Sequence, residues 1–180
     1  SSYMRGTAYG DNCWHGSSHT TAIAYATAGD RFEVYTTQLG NSGGDVRMYA
    51  GYSEFHVRPL GLLGTDVPHA QLTNNYATNV DVGTCSVPSY GGTSKFADNC
   101  WRQYVEWNTD QLHHTNGGAS RNVNASGLHP FALHNDRIEV GREGWYKVVC
   151  NMLFKGCNYR SVTGIRLRHR KAIDNSYTWV

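Results

Sequence analysis

From Tyr146 to Phe154 every second residue, Tyr146, Val148, Cys150, Met152 and Phe154, belongs to one row of a period-two pattern. Side chains alternate across an extended chain, so this row is one face of a strand that buries it. The same signature recurs in short segments. Phe32 and Val34 alternate with Arg31 and Glu33 after the turn Ala28-Gly29-Asp30, and Val46 and Met48 alternate with Asp45 and Arg47 after Asn41-Ser42-Gly43-Gly44. Phe55 and Val57 alternate with Glu54, His56 and Arg58; Ser18 to Tyr25 carries Thr21, Ile23 and Tyr25 at alternate places. Strand character also marks Tyr104-Val105-Glu106-Trp107 and Arg137-Ile138-Glu139-Val140. With 20 Gly, 12% aromatic and 17% charged residues, the composition suits short strands joined by turns and is poor material for long helices. The fold class is therefore all-β.

Ile165 and Leu167 alternate with Arg166, Arg168 and Arg170, which places the three arginines in a row on an outer face. A solvated strand face is the expected reading, with a binding stripe for acidic sugars or a neighbouring subunit as the alternative.

At 180 residues the chain has room for one domain and something extra. From Gly61 to Trp101 the periodicity weakens among Pro68, Pro88, Gly83, Gly91 and Gly92, so residues 61–101 read as a linker or excursion with little core. Asp11-Asn12-Cys13-Trp14 recurs as Asp98-Asn99-Cys100-Trp101, although the segments between do not align as a duplication.

The formal charge of +2 argues against a nucleic-acid partner, and no apolar run of about 18 residues would span a membrane. No signal peptide is visible, and a start at Ser is consistent with a processed or excised fragment. Five cysteines, Cys13, Cys85, Cys100, Cys150 and Cys157, together with the sequon Asn124-Ala125-Ser126, fit an oxidising extracellular compartment, with Asn124 as a glycosylation acceptor. No Cys-x-x-Cys pair suggests zinc, so all five are disulfide candidates. The odd number leaves one thiol free or bonded to another chain.

Nine histidines prompt a search for a metal or catalytic constellation. His15 and His19 have helical spacing, yet Gly16-Ser17-Ser18 disfavours a helix; His113 and His114 would point to opposite faces of a strand. No Gly-x-Ser-x-Gly elbow occurs, and Gly40 to Gly44 suits a hairpin turn better than a phosphate cradle. The reading is a non-enzymatic chain without cofactor or metal.

Read with the second half first, the strands form a known pattern. Tyr104-Val105-Glu106-Trp107-Asn108-Thr109-Asp110 resembles the opening strand of the tumour necrosis factor-like and complement globular-head superfamily; Gly144-Trp145-Tyr146-Lys147-Val148 with Met152-Leu153-Phe154 is similar to its central strand. Ile165-Arg166-Leu167-Arg168 resembles the strand that follows, Ala28-Gly29-Asp30-Arg31-Phe32-Glu33-Val34 the penultimate one, and Tyr52-Ser53-Glu54-Phe55-His56-Val57 the closing one. The resemblance implies a jelly-roll sandwich with the N-terminal strands of the roll in residues 102–180 and its C-terminal strands in 1–60. Phe32, Val34, Phe55, Val57, Tyr146, Val148, Met152 and Phe154 are then its core and assembly residues.

Three arrangements would produce the reversed order: a circular permutant closed on itself, completion of one chain's C-terminal half by the next chain's N-terminal half, or one unit cut from a tandem array. The resemblance implies a recognition or assembly module, often trimeric. The expected function is an extracellular structural subunit of a fibre, filament, coat or appendage whose partners are other copies of itself. A secreted recognition head for glycans or an extracellular protein is the alternative, and a viral or phage fibre domain the second.

Overall fold

The structure, a computed structural model, describes residues 2–6, 14–40, 46–48, 53–61, 68–74, 80–81, 84–85, 101–105, 107, 109–113, 131–156 and 161–180. Cys13, Cys100, Cys157 and the sequon at Asn124 lie outside the described residues. Fifteen strands are described: β1 (Ser2–Gly6), β2 (Trp14–Ala26), β3 (Arg31–Gly40), β4 (Val46–Met48), β5 (Ser53–Pro59), β6 (His69–Asn74), β7 (Val80–Asp81), β8 (Thr84–Cys85), β9 (Arg102–Gln103), β10 (Thr109–His113), β11 (Phe131–Leu133), β12 (Arg137–Val140), β13 (Gly144–Gly156), β14 (Ser161–Arg170) and β15 (Tyr177–Trp179). There is no helix among the described residues, as the composition led us to expect.

The strands form two sheets. One runs β11, β12, β3, β14 and then β1 and β15, with β9 and β8 following β12 along β3. The other runs β10, β6, β5, β13 and β2, with β4 following β5 along β13 and β7 beyond β4. Pairing is antiparallel except at the two-residue β8. Successive long strands change sheet, from β2 to β3 to β5 and from β12 to β13 to β14, with short turns at 27–30 and 141–143.

The period-two rows meet between the sheets. Tyr146, Val148, Cys150, Met152 and Phe154 of β13 are buried, as are Phe55 and Val57 of β5, Phe32 and Val34 of β3, Ile138 and Val140 of β12, and Ile165 and Leu167 of β14. Burying each large apolar side chain contributes about 1.5–3 kcal/mol before conformational entropy is subtracted. Phe32 reaches Tyr146 across the interior with ring centroids 6.2 Å apart, and the Tyr146 hydroxyl donates to the Arg142 carbonyl at 2.6 Å. Beside this row β2 offers small side chains: Ala24 lies opposite Tyr146, Ala22 opposite Val148 and Thr20 opposite Cys150. Thr21, Ile23 and Tyr25 occupy the outward face of β2.

Three expectations change. Tyr104, Val105 and Trp107 are not in a strand, and the strand in this region is β10 at Thr109–His113. Tyr104 and Trp107 instead close the core from outside the sheets. Tyr104 N donates to the Val34 carbonyl at 2.8 Å, and the Trp107 ring packs 4.8 Å from Tyr104 and 6.0 Å from Phe55. Within 61–101, read as carrying little core, β6 buries Ala70, Leu72 and Asn74 between β5 and β10, and Trp101 is buried as well. Weak periodicity hid β6 because Ala70 and Asn74 are not large apolar residues.

Cys150, finally, is a free thiol rather than half of a disulfide. Its place in the inward row puts it across the ladder from Phe55 on one side and Thr20 on the other. Burial pushes the thiol far above the usual range, which keeps it protonated and unreactive. Phe154→Ala should lower the unfolding free energy by about 3–5 kcal/mol in urea titrations, while Ile23→Thr, on the exposed face, should change it by less than about 0.5 kcal/mol.

Candidate functional site

β3 and β14 pair along ten residues, and their alternation sets Arg31, Glu33 and Tyr35 beside Arg166, Arg168 and Arg170 on the face away from the core. Glu33 is 2% exposed, and a carboxylate so far from water requires cations. Arg168 supplies the closest pair, with Nε donating to Oε2 at 2.6 Å and Nη2 at 2.5 Å from the same oxygen. Arg31 Nε and Arg170 Nε approach Oε1 at 3.2 and 3.5 Å. One carboxylate thus neutralises one of three guanidinium groups.

Aromatic faces disperse the remaining positive charge. Arg168 lies 4.0 Å from the centroid of Tyr35 and 4.9 Å from Tyr177; Arg170 lies 5.6 Å from Tyr177, and Arg166 lies 4.6 Å from Trp101 and 5.2 Å from Trp179. Such contacts reach about 2 kcal/mol each when desolvated, as around Arg168, and less at partly exposed Arg170. Burial lowers the pKa of Arg168, and Glu33 opposes that shift. The row is therefore not the solvated strand face expected from its charge, because β15 and Trp101 cover it. Alternation in the sequence places the arginines; the rings come from Trp101, ahead of β9, and from β15.

A second carboxylate fixes the turn that delivers β15. Asp30 Oδ2 accepts from Thr27 N at 3.0 Å and lies 2.9 Å from His169 Nε2, and Oδ1 accepts from Ala172 N at 2.9 Å. Gly29 before it has φ 89°, and a Cβ there would meet the Ala172 Cβ at 3.0 Å, so glycine serves both backbone and packing. Asn175, itself left-handed at φ 58°, accepts from Arg31 Nη2 at 2.8 Å through Oδ1 and from Arg170 Nη1 at 3.0 Å through its carbonyl. The Ala-Gly-Asp turn and the β14–β15 turn are one hydrogen-bonded unit. Burial alone would raise the Asp30 pKa, but the two backbone amides and His169 outweigh it and hold the carboxyl below its ordinary 3.8.

The far edge of β14 is shared between β15 and β1. Tyr177, Thr178 and Trp179 pair with Arg170, His169 and Arg168, and Val180 N donates to the Leu167 carbonyl at 3.0 Å. Ser2 to Gly6 then pair with Ile165 down to Ser161. A single place, opposite Arg166, separates the two segments. β15 and β1 therefore follow one register, as if residue 1 were the residue after 180, and together they read as one antiparallel strand.

His15 and His19 stand exposed on the strand β2, where His19 meets Asn151 and Thr21, and no group of three or more potential metal ligands occurs among the described residues. Cys85 ends β8 on the β3 edge. The residues that sequence reasoning did not single out are Glu33, Tyr35, Trp101, Asp30, His169, Tyr177 and Trp179. Tyr177 and Trp179 could have been found from their own alternation after the Asp174-Asn175 turn.

No family model, curated protein or solved structure matches this chain.

Two outcomes follow from the buried carboxylates. Glu33→Gln should cost about 3–5 kcal/mol in denaturant titrations, since it strands three arginines around a neutral amide, and pairing Glu33→Leu with Arg168→Met should recover part of that loss. Because the Asp30 pKa is depressed on folding, its carboxylate stabilises fully above about pH 4 and loses that effect as pH falls through the folded-state value. Acid unfolding of Asp30→Asn should accordingly begin from a lower stability at pH 7 and show a shallower decline below pH 4.

Proposed function

We propose that this chain is a structural subunit of an extracellular fibre, filament, coat or appendage, built by head-to-tail completion of a tumour necrosis factor-like jelly roll. The observation that carries this reading is the unbroken register of β15 and β1 along β14. Of the five segments that carry the resemblance, four lie in the strands β13, β14, β3 and β5, in the cyclic order that the resemblance implies, while Tyr104, Val105 and Trp107 of the opening segment are not in a strand. Two separate segments of the chain, β15 and β1, supply one line of partners for β14, and two copies can supply such a line between them. Each half-chain alone would expose edges and apolar rows, and supplying the missing strands from a neighbour buries both.

An extracellular setting agrees with the cysteine content, the sequon and the low charge. A second reading, a secreted recognition head for a glycan or protein, draws on the exposed pair Trp145 and Tyr25, whose rings meet edge-on at 5.6 Å while the Tyr25 hydroxyl donates to Glu143 at 2.7 Å. Such a head would be a closed particle, with affinity that depends on Trp145.

Light scattering of the native protein over a dilution series, with and without reductant, separates these readings. The assembly reading expects masses that are multiples of 20.0 kDa and grow with concentration. A discrete monomer or trimer at every concentration overturns it.

A further inference from the structure

We infer that the outer face of β2, β13 and β5 binds an anionic saccharide, a sugar ring bearing a carboxylate or sulfate, on a platform of Trp145, Tyr25 and Ile23 with Lys147 and Arg58 beside it. The inference goes beyond assembly and deepens the recognition-head reading, on which it rests.

Alternation sends these residues outward. Tyr146 and Val148 of β13 are buried, so Trp145 and Lys147 face away from the core, and on β2 Ala24 and Ala26 are buried while Ile23 and Tyr25 are not. The ladder sets Trp145 opposite Tyr25, and Lys147 opposite Ile23 on one side and Arg58 on the other. Single exposed apolar residues need no explanation. Here three of the six large ones exposed among the described residues adjoin, with Trp145 55%, Tyr25 45% and Ile23 61% exposed. The two rings are also held in place before any ligand arrives. They meet edge-on with centroids 5.6 Å apart, and the Tyr25 hydroxyl donates to Glu143 Oε1 at 2.7 Å. A ring already fixed loses little freedom when a ligand covers it.

Charge selects the ligand. Lys147 and Arg58 face each other across the ladder, where opposed positions lie about 5 Å apart and like charges repel. Neither has an ion-pair partner among the described residues, and the carboxylates of this face are engaged elsewhere. Glu143 accepts from Tyr25, while Glu54 accepts from Asn151 Nδ2 at 2.7 Å and lies 3.0 Å from His56 Nε2. An anion laid between Lys147 and Arg58 relieves their repulsion. A sugar acid meets both requirements, since the C–H face of its ring lies flat on an aromatic side chain and its acid group projects from the ring edge. Trp145 and Lys147 are two residues apart along β13, about 7 Å, so one sugar unit reaches both the ring and the ammonium. A protein partner fits less well. Its interface takes about 20–30 residues a side around an apolar centre, whereas beyond Ile23 this face turns polar at Thr21, His19 and Asn151.

The test is calorimetric titration of the full chain, at low and raised salt, with four probes of similar length: an oligogalacturonate, a sulfated dextran, a neutral dextran and a poly-glutamate peptide. The inference expects an acidic saccharide to bind, more weakly as salt rises, with the neutral dextran at least about tenfold weaker. Whether the galacturonate or the sulfated probe binds more tightly identifies the acid. Trp145→Ala should lower that affinity about tenfold or more, and Lys147→Gln combined with Arg58→Gln should remove the preference for acidic over neutral saccharide. All three side chains point away from the core, so the variants should melt with the parent, and Ile173→Ala, exposed outside this face, should bind as the parent does. Equal, Trp145-dependent binding of neutral and acidic saccharides overturns the anionic class while the recognition-head reading stands. Poly-glutamate bound as tightly as the acidic saccharides, again through Trp145, overturns the saccharide in favour of an acidic protein. Binding of no probe, or binding that Trp145→Ala leaves intact, overturns both the inference and the reading beneath it.

Discussion

The pairing of β3 with β14 sets where almost everything else in this protein lies. Ten residues of each strand run side by side, and the two faces of that ribbon meet different requirements. Inward, Phe32, Val34, Ile165 and Leu167 complete a core shared with β13 and β5. Outward, Glu33 accepts two guanidinium contacts from Arg168 and has Arg31 and Arg170 beside it. A buried carboxylate with several cations is not a strong source of net stability, since desolvation offsets most of the attraction. It is strongly selective for register, because a shift of one residue would set Glu33 in the apolar core and Phe32 among the arginines.

That constraint propagates along the edge. Three arginines and one carboxylate leave positive charge in a poorly hydrated place, and rings from Trp101, Tyr35, Tyr177 and Trp179 receive it. The rings of β15 reach their places only because the turn at 171–176 is held, and the turn is held by Asp30, which also engages His169 on β14. Charge, turn and strand are in this way linked parts of one arrangement.

Much of the sandwich was legible in the residues themselves. The rows Phe32 and Val34, Phe55 and Val57, and Tyr146 to Phe154 are apolar at every second position, and each is buried. β6 has no clear apolar row because it faces the core with Ala70 and Asn74 as well as Leu72, and the aromatic residues Tyr104 and Trp107 cap the core from outside the sheets, since such residues suit a cap as well as a strand. Cys150 carried a compartment-level hint of disulfide bonding that its own place in the apolar row opposed.

The sequence by itself determined the all-β character, the inward rows and the line of arginines, because these depend on the two-residue repeat of an extended chain. Which strands lie beside one another was decided only by the tertiary structure. The cover over the arginines, the burial of Glu33, the hydrogen bonds of Asp30 to His169 and Ala172, and the common register of β15 and β1 along β14 join residues far apart in the chain. Alternation specifies which face a side chain occupies, while neighbours across a sheet are chosen by packing two faces at once, and no local pattern encodes that choice.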